Sequence, residues 1–303
     1  MIGLGELLWD LLPSGKVLGG APANFAYMAQ VLGNEGIIAS RIGNDKLGWE
    51  ARRAIQDRGM EAGFLQYDAL HGTGTASVRL DAAGQPHFSI AESVAWDYLE
   101  WTPAWQELST RADVICFGSL AQRSPASAAT IERFLLNAPA GTLRICDANL
   151  REPSYTVDTL CRSFQIADVL KLNDAELVQV SGLLAIEGAS EQELAASLCR
   201  KFDLDLLCVT KGARGSLLVS PTEAVRHAGL SIQVADAIGA GDAFTACVAH
   251  YFVQGKPLEQ ISDAANSFAA WVATQVGATP EISRDRLEEI LNSGNPGDTK
   301  VSA

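Results

Sequence analysis

The run Asp236-Ala237-Ile238-Gly239-Ala240-Gly241-Asp242 feeds directly into the apolar stretch Ala243-Phe244-Thr245-Ala246-Cys247-Val248-Ala249. The spacing after Asp242 predicts a buried helix closed by Gly255, and Ser231–Ala235 ahead of it reads as a short strand. The glycines therefore stand at a strand-to-helix turn. There the first N–H groups of the helix have no partner within it and carry the positive end of its dipole. Such an end attracts an anion, and glycine lets the anion approach the backbone. Asp242 is the oddity, because a carboxylate beside an anion site costs electrostatic energy unless it takes a proton or positions a reacting group. Asp is also a favoured helix cap, and these seven residues alone leave both readings open.

Other chemistries are not written in the chain. Neither Gly15-Lys16 nor Gly255-Lys256 is followed by Ser or Thr, so the G-x-x-x-x-G-K-[ST] phosphate loop is missing. A G-x-G-x-x-G fingerprint near the first strand, H-E-x-x-H and G-x-S-x-G are missing too. His71, His87, His227 and His250 are scattered, which speaks against a histidine-rich metal site. What remains is an anion hole edged by an acid, the pair Asn173 and Glu176 at a spacing suited to a hard cation or its waters, and a hairpin flap. Those parts fit phosphoryl transfer to a hydroxyl. The donor phosphate needs fixed N–H dipoles and a cation, the acceptor needs a home for its proton, and a flap sheds the water that would hydrolyse the donor.

The elements that must position these residues read as an α/β protein. Strand-like runs at 114–118, 143–147, 169–173 and 206–210 are mostly followed by helical spacing, which predicts a mostly parallel central sheet covered by helices on both faces. Polar residues collect at the carboxyl ends of these strands, where such sheets bind ligands: Ser119 and Gln122, Asp147 with Asn149 and Arg151, Asn173 with Glu176, Thr210 with Gly212 and Gly215. Earlier, Gly19-Gly20-Ala21-Pro22-Ala23-Asn24-Phe25-Ala26 opens a helix ending at Gly33, Gly36–Gly43 reads as a strand, and the turn from Gly43 to Gly48 opens another helix. Thr73–Leu80 and Gln85–Ile90 flank a turn at 81–84 and form the flap. Asp10 interrupts the apolar opening, as an acid at a strand exit or one that meets a ligand.

Length and composition agree. With 303 residues, 48% hydrophobic and 19% charged, the chain reads as one soluble globular α/β unit. A formal net charge of −13 argues against nucleic acid or an anionic membrane as partner. The sequence shows no membrane span or signal segment, so a cytoplasmic location is expected. Cys116, Cys146, Cys161, Cys199, Cys208 and Cys247 form no C-x-x-C pair and read as core residues.

Over nearly its whole length the chain resembles the ribokinase-like, or PfkB-type, carbohydrate kinases. The first family signature is Gly19–Ala26 with Gly33 and Gly43 at the family's spacing, and the second is Asp236–Asp242 continued through Cys247. The resemblance implies a ribokinase-like domain over 1–295 with a small β-sheet lid drawn from about 11–19 and 64–92, and a frayed tail over 296–303. It implies Asp242 as catalytic base and the N–H groups of Gly239, Ala240, Gly241 and Asp242 as the anion hole. Asp10, Gly20 and Asn24 then hold the sugar, with Asn44 or Asp45 and Gln122 nearby. Asn173 and Glu176 organise Mg²⁺ and the phosphates of ATP, mostly through water, while Thr210, Gly212, Gly215 and Gly241 lie along the nucleotide and Asn266 near its base. It also implies K⁺ held by the backbone of Asp236, Ile238 and Gly277, and a monomer or a dimer paired through the lid.

Within the family, Gly5–Pro13, Val94–Asp97, Phe117–Pro125 and Asp147–Arg151 look most like the fructokinase branch. Ribose, 2-keto-3-deoxygluconate and aminoimidazole riboside are the alternative acceptors. Arg123 stands where ribokinases tend to carry an acid, which lowers the case for ribose. Ala237 stands where the family usually has Thr, which is the one feature favouring a sugar or nucleotide sensor without turnover.

Overall fold

The computed structural model describes residues 1–12, 15–80 and 86–293. Its strands are β1 (Ile2–Leu4), β2 (Leu8–Leu12), β3 (Gly15–Gly19), β4 (Ile37–Gly43), β5 (Leu65–Asp68), β6 (Gly74–Leu80), β7 (Pro86–Ile90), β8 (Val114–Phe117), β9 (Leu143–Asp147), β10 (Val169–Asn173), β11 (Leu206–Thr210), β12 (Ser216–Val219) and β13 (Ala224–His227). Its α-helices are α1 (Ala21–Val31), α2 (Lys46–Asp57), α3 (Pro103–Ser109), α4 (Pro125–Asn137), α5 (Val157–Ile166), α6 (Asp174–Leu183), α7 (Glu191–Phe202), α8 (Ala240–Phe252), α9 (Leu258–Ala273) and α10 (Arg284–Ser293).

Nine strands form the large sheet in the order β13-β12-β11-β10-β9-β8-β1-β4-β5. Pairing is parallel from β11 across to β5; at the other edge β12 alone runs against the rest, pairing antiparallel with both β11 and β13. Because both faces are covered, the strands read as continuous apolar runs and alternate residues enter different layers. Ile115 and Phe117 pack with Phe134, Phe164 and Phe202 from α4, α5 and α7. Val114 and Cys116 pack with Phe25, Phe244 and Phe268 from α1, α8 and α9. Each fully buried side chain of this size contributes about 1.5–3 kcal/mol, so the second of these layers fixes how α1 and α8 lie on the sheet.

A second sheet of four strands, in the order β3-β2-β6-β7, stands apart from the first. Here β2 pairs antiparallel with β3 and parallel with β6, and β6 pairs antiparallel with β7. This is the expected small β-sheet; it takes in Leu8–Leu12 from its first residue, while β5 pairs with β4 in the large sheet. The reason is local, since Leu65 is buried and the free edge of β4 satisfies its backbone. The expected turn at 81–84 and the tail 296–303 lie outside the described residues.

Ser231–Ala235 is not a strand. Most of it is exposed, and it is tied at its end to a helix rather than to a sheet, with the N–H groups of Ala235 and Asp236 donating to the Ala273 carbonyl at 2.9 and 3.3 Å. Among the described residues, no helix is long and apolar enough to cross a membrane.

Candidate active site

The turn before α8 is built around Gly239, the residue preceding the helix, at φ 81° in the left-handed region. A Cβ there would stand 2.4 Å from the Ala278 carbonyl oxygen, so the turn lies flat against the 277–278 loop. Asp236 ties the two loops together, one carboxylate oxygen accepting from Ile238 N–H at 3.0 Å and the other from Gly277 N–H at 3.2 Å. The N–H groups of Gly241 and Asp242 reach no acceptor among the described residues. They open the first turn of a 13-residue helix, the arrangement that binds an anion.

Helix α1 lies against α8 in the same apolar layer and carries Asn24, buried in its first turn. The Asn24 amide donates to the Asp242 carboxylate at 2.7 Å. The two sequence signatures thus meet in one hydrogen bond. Enclosure pushes the Asp242 carboxyl up to about 7, with the Asp147 charge acting the same way and the Asn24 hydrogen bond and Lys171 opposing. An acid poised near neutrality suits proton transfer far better than it suits capping.

Two more acids with raised carboxyl values stand in the opening segment of the chain. Asp10 lies on β2 with a carboxylate oxygen 2.6 Å from where a Cβ on Gly19 would stand, which explains the glycine. Burial raises the Asp10 carboxyl above its ordinary range, against the pull of Arg151. Glu6, in the link between β1 and β2, is buried, one of its oxygens has no hydrogen-bond partner, and its carboxyl is pushed up to about 7 chiefly by burial. Its backbone carbonyl lies 2.5 Å from the Cβ position of Gly20, which at φ 112° precedes α1.

Beneath α8 runs a network that sequence reasoning missed. Lys171 Nζ donates to Asp147 at 3.0 Å, and the Thr245 hydroxyl meets the other Asp147 oxygen at 2.9 Å. Burial alone would lower the Lys171 pKa, but the charges of Asp147, Glu176 and Asp242 outweigh it and hold the value above the ordinary one. The available signal was a lysine inside the apolar strand Val169-Leu170-Lys171-Leu172, and likewise Glu6 in an apolar opening; buried charge demands partners.

Asn173 and Glu176 form a reciprocal cap at the start of α6, each side chain accepting from the other's N–H at 2.8 Å. Glu176 also accepts from Leu150 N–H at 2.8 Å. Their oxygens are engaged with backbone but keep further lone pairs, so the pair fits Mg²⁺ reached through water rather than by direct ligation. Among the described residues, no cluster of three or more His, Cys, Asp or Glu is arranged to hold a metal. An ion pair between Arg214 and Asp174 joins this helix start to the loop carrying Gly212 and Gly215 after Thr210. The backbone carbonyls of Asp236, Ile238 and Gly277 receive no N–H among the described residues, a donor set that fits a monovalent cation.

Three other residues stand differently. The Gln122 amide donates to Gly118 O at 2.8 Å and Ser163 Oγ at 2.9 Å, committing it to α5 rather than to the Asn24–Asp242 contact. Asn44 is exposed, while its neighbour Asp45 caps α2 through Gly48 N–H and binds Thr73. Asn266 is buried, its amide donating to Ser216 Oγ and Ser262 O at 2.7 Å.

Known proteins share this architecture. The chain is 31% identical over 256 residues to a fructokinase of Escherichia coli, spanning 80% of this chain and 81% of that one. The fructokinase of Vibrio cholerae O395, solved with fructose, ADP and calcium ion, superposes with a TM-score of 0.80 at 24% identity over 95% of this chain and 97% of that one. The aminoimidazole riboside kinase of Salmonella enterica, solved with aminoimidazole riboside and an ATP analog, gives 0.75 at 24% identity over 95% and 98%. The pattern of the "pfkB family carbohydrate kinase" matches residues 14–284. A match of that span takes in both glycine-bearing segments and nearly every element between β2 and α10, and the chain therefore belongs to the pfkB family of carbohydrate kinases.

Proposed function

We propose that this carbohydrate kinase is an ATP-dependent fructokinase, moving the γ-phosphate of ATP to a hydroxyl of D-fructose. The observation that carries the reading is the 2.7 Å contact of Asn24 with Asp242 at the anion-binding end of α8; the 31% identity to a fructokinase supports the choice of sugar. Asp10, Gly20 and Asn24 orient the sugar. The Asp242 carboxylate takes the hydroxyl proton as the oxygen attacks the γ-phosphorus and the bond to ADP breaks. The N–H groups of Gly241 and Asp242, with Gly239 beside them and Ala240 N–H turned to the Ala237 carbonyl at 3.4 Å, face the charge that gathers on the transferring phosphoryl group, and the small sheet carrying Asp10 excludes water. Thr210, Gly212 and Gly215 line the nucleotide side, with Asn266 behind them. Asn173 and Glu176 would hold Mg²⁺ beside the phosphates, and the ion would supply charge neutralisation there. Among fructose, ribose, glucose, 2-keto-3-deoxygluconate and aminoimidazole riboside, fructose is expected to give the highest kcat/KM. A tenfold lead corresponds to only about 1.4 kcal/mol, so few contacts decide it. A higher value for aminoimidazole riboside, the acceptor favoured by the Salmonella likeness, would replace the sugar and leave the mechanism standing; binding without any ADP formation would favour a sensor.

We assign the carbonyls of Asp236, Ile238 and Gly277 to K⁺; an ion held there would stiffen the turn that aims the N–H groups. Activity is therefore expected to be severalfold higher in K⁺ than in tetramethylammonium at equal ionic strength. Equal rates in coupled ADP-release assays would remove the cation from the scheme.

A further inference from the structure

Lys171, Asp147 and Thr245 come from β10, β9 and α8, and all three are buried. The Thr245 hydroxyl lies 3.0 Å from the Gly241 carbonyl as well as 2.9 Å from Asp147. Lys171 Nζ lies 3.1 Å from where a Cβ on Gly241 would stand, so the ammonium sits directly under the turn that bears the N–H array. A buried ion pair of this kind is weak evidence for stability, because hydrophobic replacements often hold a fold as well. Its location under the reacting end of α8 calls for another reason.

We infer that Lys171 and Asp147, joined to α8 through Thr245, are positioning residues for phosphoryl transfer: the pair fixes the first turns of α8 and balances the charge around the Asp242 carboxylate. The inference rests on Asp242 being the base. The groups facing that carboxylate are Glu6 from the β1–β2 link, Cys116 from β8, Asp147, Lys171 and the Asn24 amide, while Glu176 faces Lys171 from α6. Asp147 and Glu6 favour its protonated form, and Lys171 and Asn24 the ionised one. The ionised form is the one that accepts a proton, so activity rises with pH through the carboxyl's value near 7 and is lost below it. Glu6 titrates in the same range, so the acidic limb belongs to the acids jointly. Glu6 is unchanged in the variants below, and differences among them read the Lys171–Asp147 pair.

The test is the pH profile of kcat. Lys171→Met removes the cation and leaves the acids facing one another, so the acidic midpoint is expected to rise by about one pH unit or more. Asp147→Asn removes a carboxylate and leaves the cation, so the midpoint is expected to fall by a similar amount. The double variant is expected to return close to the wild-type midpoint. Opposite shifts support the inference, whereas unmoved midpoints, or shifts of one sign, overturn it. Thr245→Val serves if either charge variant fails to fold: kcat is expected to drop about tenfold, the scale of one hydrogen bond to a charged group, with the sugar KM within about twofold and Thr245→Ser restoring the rate. A Thr245→Val enzyme equal to wild type overturns the inference. Full activity in Asp242→Asn would instead remove the base itself; loss in Asp242→Asn alongside unmoved midpoints sinks the network alone.

Discussion

Asp242→Asn is expected to lower kcat by at least about two orders of magnitude, since a positioned general base contributes ~10²–10⁴-fold. The substitution keeps the size of the side chain and can still pair with Asn24 after an amide flip, but it cannot take the proton of the sugar hydroxyl. Sugar binding should survive, because Asp10, Gly20 and Asn24 are untouched. Melting should barely change, since Asn caps a helix as well as Asp does. Removing a carboxylate that the charges of Asp147 and Glu6 oppose even favours the fold slightly. Steady-state kinetics beside calorimetric titration with sugar separate the two roles. If the Asn enzyme turned over within a few-fold of wild type, Asp242 would be a cap and the proton would have to leave by another path.

Gly239→Ala is the second large effect. The residue is held at φ 81°, and a Cβ would stand 2.4 Å from the Ala278 carbonyl oxygen. The left-handed backbone alone costs an alanine about 1–2 kcal/mol, and the contact forces the turn away from the 277–278 loop. Displacing a single oxyanion donor typically costs ~10²–10³ in kcat, so a fall of about 10² is expected with the sugar KM little changed. The melting temperature should drop, in contrast to Asp242→Asn. Full kcat in the alanine variant would mean that the N–H array is aimed by something other than this turn.

Much of this architecture was legible in the chain because its signals are local. The buried parallel strands read as apolar runs, and Gly33 and Gly255 close α1 and α8 where expected, both at positive φ. Asp236–Asp242 and Gly19–Asn24 each announce a special turn. What was not legible depends on partners far away in sequence. Ser231–Ala235 has the composition of a strand but finds a helix end instead of a sheet edge. Ser216–Val219 and Ala224–His227 form an antiparallel edge whose clues, a short apolar run and the Ser220-Pro221-Thr222 turn, were overshadowed by the preceding glycine loop. The spacing of Asn173 and Glu176 is also that of a reciprocal helix cap, and the fold uses it that way. Gln122 shows the limit of reading strand ends: its position is right for a ligand, and its amide is bound to Ser163. Lys171 and Glu6 were visible as charges in apolar runs, but only the three-dimensional arrangement names their neighbours.

The bond between Asn24 and Asp242 spans 218 positions, and β1 gains its two neighbours only when β4 and β8 have both been made. Under the proposed function, a fragment ending at Thr210 carries Asp10, Gly20, Asn24, Asn173 and Glu176 but lacks the Gly239 turn and Asp242, and it is expected to show no kinase activity.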